Sequence, residues 1–85
     1  MIRTKTIDCV VKVRFKNSNG WSPPFTYLSE IPLKRYDLVV VPTRDFFSVG
    51  KVSDSNQPDS VELSPDIEYK FVILKFEREL NVSDN

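Results

Sequence analysis

An apolar run that stops at a proline, Asp37-Leu38-Val39-Val40-Val41-Pro42, constrains the fold of this chain more than any other stretch. Consecutive valines favour an extended backbone, and proline cannot donate to a strand ladder. The run therefore reads as a short buried strand, Leu38 to Val41, that ends in a turn. Thr43-Arg44-Asp45 connects it to Phe46-Phe47-Ser48-Val49-Gly50-Lys51-Val52, a second strand reaching Ser53. A strand, a tight connection and another strand form the kernel of a small β-barrel.

The flanking sequence extends the pattern. From Thr6 to Phe15, Ile7, Cys9, Val11, Val13 and Phe15 alternate with Asp8, Lys12 and Arg14, the period-two signature of a half-buried strand. Lys16-Asn17-Ser18-Asn19-Gly20 follows, with Asn19-Gly20 suited to the positive φ angles of a tight hairpin. Trp21-Ser22-Pro23-Pro24 stiffens the approach to a strand at Phe25 to Leu28. Ser29 to Tyr36 is a connection carrying Pro32 and the basic pair Lys34-Arg35. Asp54 to Asp66 is polar, holds Pro58 and Pro65, and reads as a loop with a brief turn or helix at Val61-Glu62-Leu63. Glu68 to Glu77 is a last strand with apolar residues on both faces, which fits burial on two sides or docking of one end on another element. Only residues 66–80 also admit a helical reading. The tail, 81–85, is expected to fray.

Eighty-five residues make one domain, expected over 1–80, and bury only about 60–65% of the unfolded surface. The six Phe, three Tyr and one Trp offer a compact way to bury apolar area. Cys9 has no second cysteine to pair with, and in its alternating apolar setting it reads as a packed thiol. With no histidine and one cysteine, neither a metal site nor a cofactor is expected. No signal peptide or membrane-length apolar run is evident, so the expected setting is a reducing cytoplasm.

Histidine-dependent nucleophilic catalysis is excluded by composition. Carboxylate pairs such as Asp37 with Asp45, or Asp54 with Asp59, sit on short solvated loops that rarely build a cleft. Gly20 and Gly50 stand alone, so no phosphate-cradling loop is present. A non-enzymatic binding module is the expectation. Net charge is zero, yet residues 1–53 hold nine basic and four acidic side chains, and residues 54–85 hold three and eight. That asymmetry either forms a steering face or is neutralised where strands interleave.

Two surface clusters are candidates for binding. Lys34, Arg35, Tyr36, Arg44, Phe46 and Lys51 combine cations with rings, as single-stranded nucleic acid requires for phosphates and bases. In the plainer reading, Phe46 or Phe47 faces the core and Tyr36 caps the barrel. Trp21, Pro23 and Pro24 form a preorganised anchor for a protein partner, unless Trp21 folds over the barrel end as a lid. The acidic stretch 54–68 could imitate nucleic acid toward a basic partner, or simply be a solvated loop.

From Phe25-Thr26-Tyr27, through Pro32-Leu33 and the valine strand, to Val49-Gly50-Lys51-Val52, the pattern resembles small SH3-like barrels. More narrowly, it is similar to the N-terminal DNA-binding domain of the primosomal helicase PriA and to short uncharacterised bacteriophage proteins. The resemblance spans about residues 25–76. It implies an all-β, SH3-like barrel of about five strands, and a phage-encoded module working in the bacterial cytoplasm on single-stranded or fork DNA, or on host machinery that handles it. Those barrels usually carry Gly before the central Asp, where this chain has Tyr36; Gly permits a positive φ that Tyr adopts only with strain. The rival expectation is an inhibitor or adaptor that binds a host protein and has no nucleic-acid affinity. Neither expectation involves a membrane, and an exposed edge strand leaves a homodimer possible.

Overall fold

A computed structural model describes residues 6–76. The fold is all-β. Five strands, β1 (Cys9–Arg14), β4 (Phe25–Ser29), β5 (Leu38–Pro42), β6 (Phe47–Asn56) and β7 (Leu74–Lys75), form one antiparallel sheet in the order β4-β1-β6-β5-β7. A small hairpin of β2 (Lys16–Asn17) and β3 (Gly20–Trp21) projects from the β1–β4 connection. The expected frayed tail lies outside the described residues.

The sheet curls because β6 carries a bulge. Lys12 of β1 faces Asp54, but Val13 faces Val52, which leaves Ser53 as an extra residue on β6. An inserted residue bends and twists its strand, and here it turns a flat ladder into a half-barrel. The two sheet edges then meet through residues 70–76. Leu28 of β4 donates its amide to Lys70 O at 2.9 Å and accepts from the Val72 amide at 2.8 Å, a single parallel bridge at Phe71. A few residues on, the amides of Ile73 and Phe76 bond Val40 O and Leu38 O of β5. One segment thus serves both edges. That is why, of the element expected over Glu68 to Glu77, the described part forms strand only at Leu74–Lys75 and one bridge: it docks on two partners in turn, as the docking alternative allows, and Glu77 lies outside the described residues.

The core is built from valine. Val11, Val13, Val39, Val41 and Val52 are fully buried, joined by Cys9, Tyr27 and Leu33. Each fully buried valine contributes about 1.5–3 kcal/mol. The expected burial of the aromatics is not found: of ten aromatic residues, only Tyr27 is buried. The interior of a small curled sheet is narrow, and inward positions of β1, β5 and β6 suit branched side chains of modest volume. Cys9 is a packed thiol as expected, with Sγ 3.5 Å from Ile31 O.

Other boundaries shift by a few residues. β6 runs on to Asn56, three residues beyond the expected Ser53, and the brief turn in the polar loop is a 3-10 turn at Pro58–Ser60 rather than at 61–63. In the β2–β3 hairpin the positive φ, +114°, falls on Gly20, while the Asn19 amide donates to Asn17 Oδ1 at 2.8 Å.

Candidate functional site

Alternation decides which side chains leave the core. On β6, Gly50 and Val52 point inward, so Phe47, Val49, Lys51 and Ser53 occupy the outer face. On β1, Val13 is inward and Arg14 outward. The register sets Arg14 directly opposite Lys51. Like charges facing across a strand pair are destabilising. Among the described residues no carboxylate lies within ion-pair distance of Arg14, Lys16 or Lys51.

The β2–β3 hairpin brings a ring to these cations. Lys16 and Trp21 are cross-strand partners, and the Lys16 and Lys51 ammonium groups lie 5.6 Å and 5.3 Å from the Trp21 ring centroid. Such contacts contribute about 0.5–1 kcal/mol each at exposed sites. Trp21 is 47% exposed, half open to solvent.

A third element completes the site. The turn Lys34–Asp37 is closed by the Asp37 amide on Lys34 O at 3.1 Å. Tyr36, its third residue, has φ +79° and is 71% exposed. This is the position at which a type II turn calls for Gly, and a tyrosine there costs roughly 1–2 kcal/mol. The strain is held in place from several sides. The Tyr36 amide donates to Val52 O at 2.7 Å, and the Val52 amide donates to Asp37 O at 2.8 Å. The Asp37 carboxylate accepts from the Lys34 amide at 2.8 Å and lies 3.6 Å from Lys75 Nζ. Strained backbone that the surroundings over-determine is a common property of binding sites.

The bulge acts on this turn as well. Arg35 Nε donates to the carbonyl of the extra residue Ser53 at 3.1 Å, and its guanidinium lies 3.8 Å from Asp54. Both members of that ion pair are more than half exposed, so its contribution is small. The bulge carbonyl sets the direction of Arg35.

Arg14, Trp21, Arg35, Tyr36, Lys51, Val52 and Ser53 thereby line one open concavity of about 350 Å3. Of the residues expected to bind nucleic acid, Arg35, Tyr36 and Lys51 are brought together here. Lys34 is exposed on the adjoining turn and is not part of the lining. Arg44 and Phe46 stand apart, in the turn between β5 and β6. Trp21, assigned from sequence to a protein-binding cluster, joins the basic group and parts from Pro23 and Pro24. Arg14 and Lys16 were missed as site residues. Alternation marks Arg14 as outward-facing, but its juxtaposition with Lys51 depends on a non-local register.

A second, larger concavity of about 660 Å3 opens at the barrel mouth. Phe15 and Phe25, with ring centroids 5.8 Å apart, line it with Pro24, Tyr27 and Pro42, and Arg44 and Glu68 also border it. The Tyr27 hydroxyl donates to Pro42 O at 3.1 Å, and burial pushes its phenol above the ordinary value. Neither Phe46 nor Phe47 faces the core, contrary to the plainer reading; they are 77% and 68% exposed. Phe46 belongs to the turn, where its carbonyl accepts from the Thr43 amide at 2.7 Å, and Phe47 opens β6 on the outer face.

Two of the four acids paired in sequence have local duties. Asp37 holds the Tyr36 turn, while Asp54 meets Arg35 and accepts from Asn56 Nδ2 at 3.3 Å. No group of three or more Cys, Asp or Glu is placed to hold a metal ion among the described residues. No helix among them is long and apolar enough to cross a membrane. Comparison with protein-family models, curated proteins and solved structures gave no match, so the PriA resemblance gains no support from them.

Proposed function

We propose that this protein is a non-enzymatic module that binds single-stranded nucleic acid through the concavity at Trp21. The observation that carries this reading is the convergence of Arg14, Arg35 and Lys51 with the exposed rings of Trp21 and Tyr36 in one concavity. Cations neutralise phosphates and ring faces stack on bases, and these two contacts supply most sequence-tolerant single-strand binding. The unrelieved Arg14–Lys51 repulsion favours an anion between them. A phage-encoded role at forked DNA, in the bacterial cytoplasm, extends this reading through the PriA resemblance.

Trp21 is the sole tryptophan, so intrinsic fluorescence reports on the site itself. Titration with an oligothymidylate at low salt should quench Trp21, and the affinity should fall steeply as salt rises. Anisotropy with single-stranded, duplex and forked DNA ranks the substrates. An unquenched Trp21 and flat anisotropy at low salt would overturn the proposal.

The second reading is a protein-binding adaptor or inhibitor. It is favoured by the apolar mouth concavity, where Pro24 and Phe25 lie beside Phe15 and Pro42. On that reading a Pro24→Ala, Phe25→Ala double variant loses its partner, and Trp21 is indifferent to DNA.

A further inference from the structure

The outer face of β6 carries a row that the basic concavity does not use. Phe47 and Val49, 68% and 53% exposed, precede Lys51 at alternate positions on the same face. The exposed ring and valine are same-face neighbours, so together they offer apolar surface that a ligand laid along the strand would cover. The row is continuous with the concavity, because Lys51 belongs to both. Phe47 lies four residues from Lys51, roughly 14 Å along an extended strand, with steps of about 7 Å between same-face side chains. That step is of the order of the repeat of an extended polynucleotide. At the far end the row runs into the β5–β6 turn, whose Arg44 borders the mouth concavity and is no part of the row.

We infer that the outer face of β6 is a path for a single strand, with Phe47 as a second stacking platform remote from Trp21. This rests on the single-strand reading and deepens it: the ligand is an extended, unpaired strand several nucleotides long, not a mononucleotide or a duplex. Sheet faces bearing aromatic residues read unpaired bases in this way, one base per ring. The aliphatic Val49 between the two rings spaces the bases and does not stack.

The test is a length series. Fluorescein-labelled oligothymidylates of 3, 6 and 12 nucleotides are titrated at low salt against wild type, Phe47→Ala, Phe47→Trp and Trp21→Ala. Wild-type affinity should climb between 3 and 6 nucleotides and then level off. Phe47→Ala should weaken the 12-mer about tenfold, a single lost stacking contact, with a much smaller effect on the 3-mer. Phe47→Trp should restore the 12-mer, and Trp21→Ala should weaken every length. A Phe47→Ala variant that binds the 12-mer like wild type, while Trp21→Ala does not, overturns the path and leaves the concavity intact. Equal loss at all lengths also overturns it, since Phe47 would then belong to the same subsite as Trp21. Wild type that binds none of the oligonucleotides defeats the underlying reading instead. Sedimentation of each variant covers one more outcome: if wild type is a dimer and Phe47→Ala a monomer with unchanged DNA affinity, the row is a self-interface.

Discussion

Arg14 and Lys51 face each other across β1 and β6, two cations on one outer surface with no carboxylate within ion-pair distance among the described residues. A sheet gains nothing from this pairing. On the proposed function, an anion bound between them would relieve it.

Replacing Arg14 with Thr should therefore separate stability from binding. Relief of a like-charge cross-strand pair should stabilise the fold by about 0.5 kcal/mol at low salt, and a β-branched replacement suits the strand. The same change should weaken oligonucleotide binding and lower the slope of log K against log salt by about 0.7, one phosphate contact on a single strand. Urea denaturation and a salt titration read the two effects. A salt slope identical to wild type would remove Arg14 from the interface.

Tyr36→Gly is expected to behave in the same opposed manner. Gly relieves the roughly 1–2 kcal/mol of left-handed strain and returns about 0.5–1 kcal/mol through chain entropy. Thermal melting should show Tm unchanged or a few degrees higher, while the lost ring lowers oligonucleotide affinity. A clearly lower Tm would mean that the Tyr36 ring stabilises the fold by more than its backbone costs.

Gly50 allows β1 and β6 to approach closely. A Cβ built there would collide with Val13 Cγ1 and come within 3.1 Å of both Arg14 O and Phe15 Cε1. Val13 is fully buried, so the collision is relieved only by a shift within the core or of β6 itself. Gly50→Ala should cost about 1–3 kcal/mol by overpacking, measurable as a lower urea midpoint. A wild-type midpoint would show that β6 shifts outward at no cost.

Tyr27 should contribute to a loss of stability at alkaline pH. Burial raises its folded-state pKa, so the unfolded chain loses this proton first as pH rises. Its stabilising contribution is complete below about pH 10, the unfolded value, and is lost as pH climbs toward the higher folded value. Tyr27→Phe, which also removes the hydroxyl bond to Pro42 O, should be somewhat less stable at neutral pH and show a flatter decline above pH 10. Parallel denaturation curves for the two proteins between pH 8 and 11.5 would count against this assignment.

Much of the fold was legible from pattern alone. The alternation of Cys9, Val11 and Val13, the valine run ending at Pro42, and the proline and glycine punctuation each state a local preference that tertiary structure had no reason to override. Over residues 68–76 the apolar run did not mean burial on two sides: none of these side chains is buried, and the segment docks, as the other reading had it, by sharing its amides between β4 and β5. The aromatics misled for a related reason. Hydrophobicity ranks what can be buried, but the volume inside a curled five-stranded sheet decides what fits, and valine took that space.

The site divides along the same line. Lys34, Arg35 and Tyr36 were visible as a cluster because they are neighbours in the chain, and Lys51 because it is basic beside a strand. Local pattern was enough to place most strands and to turn Arg14 outward, since these follow from steric preferences acting over a few residues; whether Phe46 or Phe47 left the core was not decided at that level. Tertiary structure alone decided that Arg14 stands opposite Lys51, that Trp21 lies beside Lys51 and apart from Pro24, and that Tyr36 takes φ +79°. Those outcomes depend on register, and register here is set by one extra residue, Ser53, in a ladder between segments some forty positions apart. No local preference encodes such a bulge; it follows from fitting two strands around one shared core.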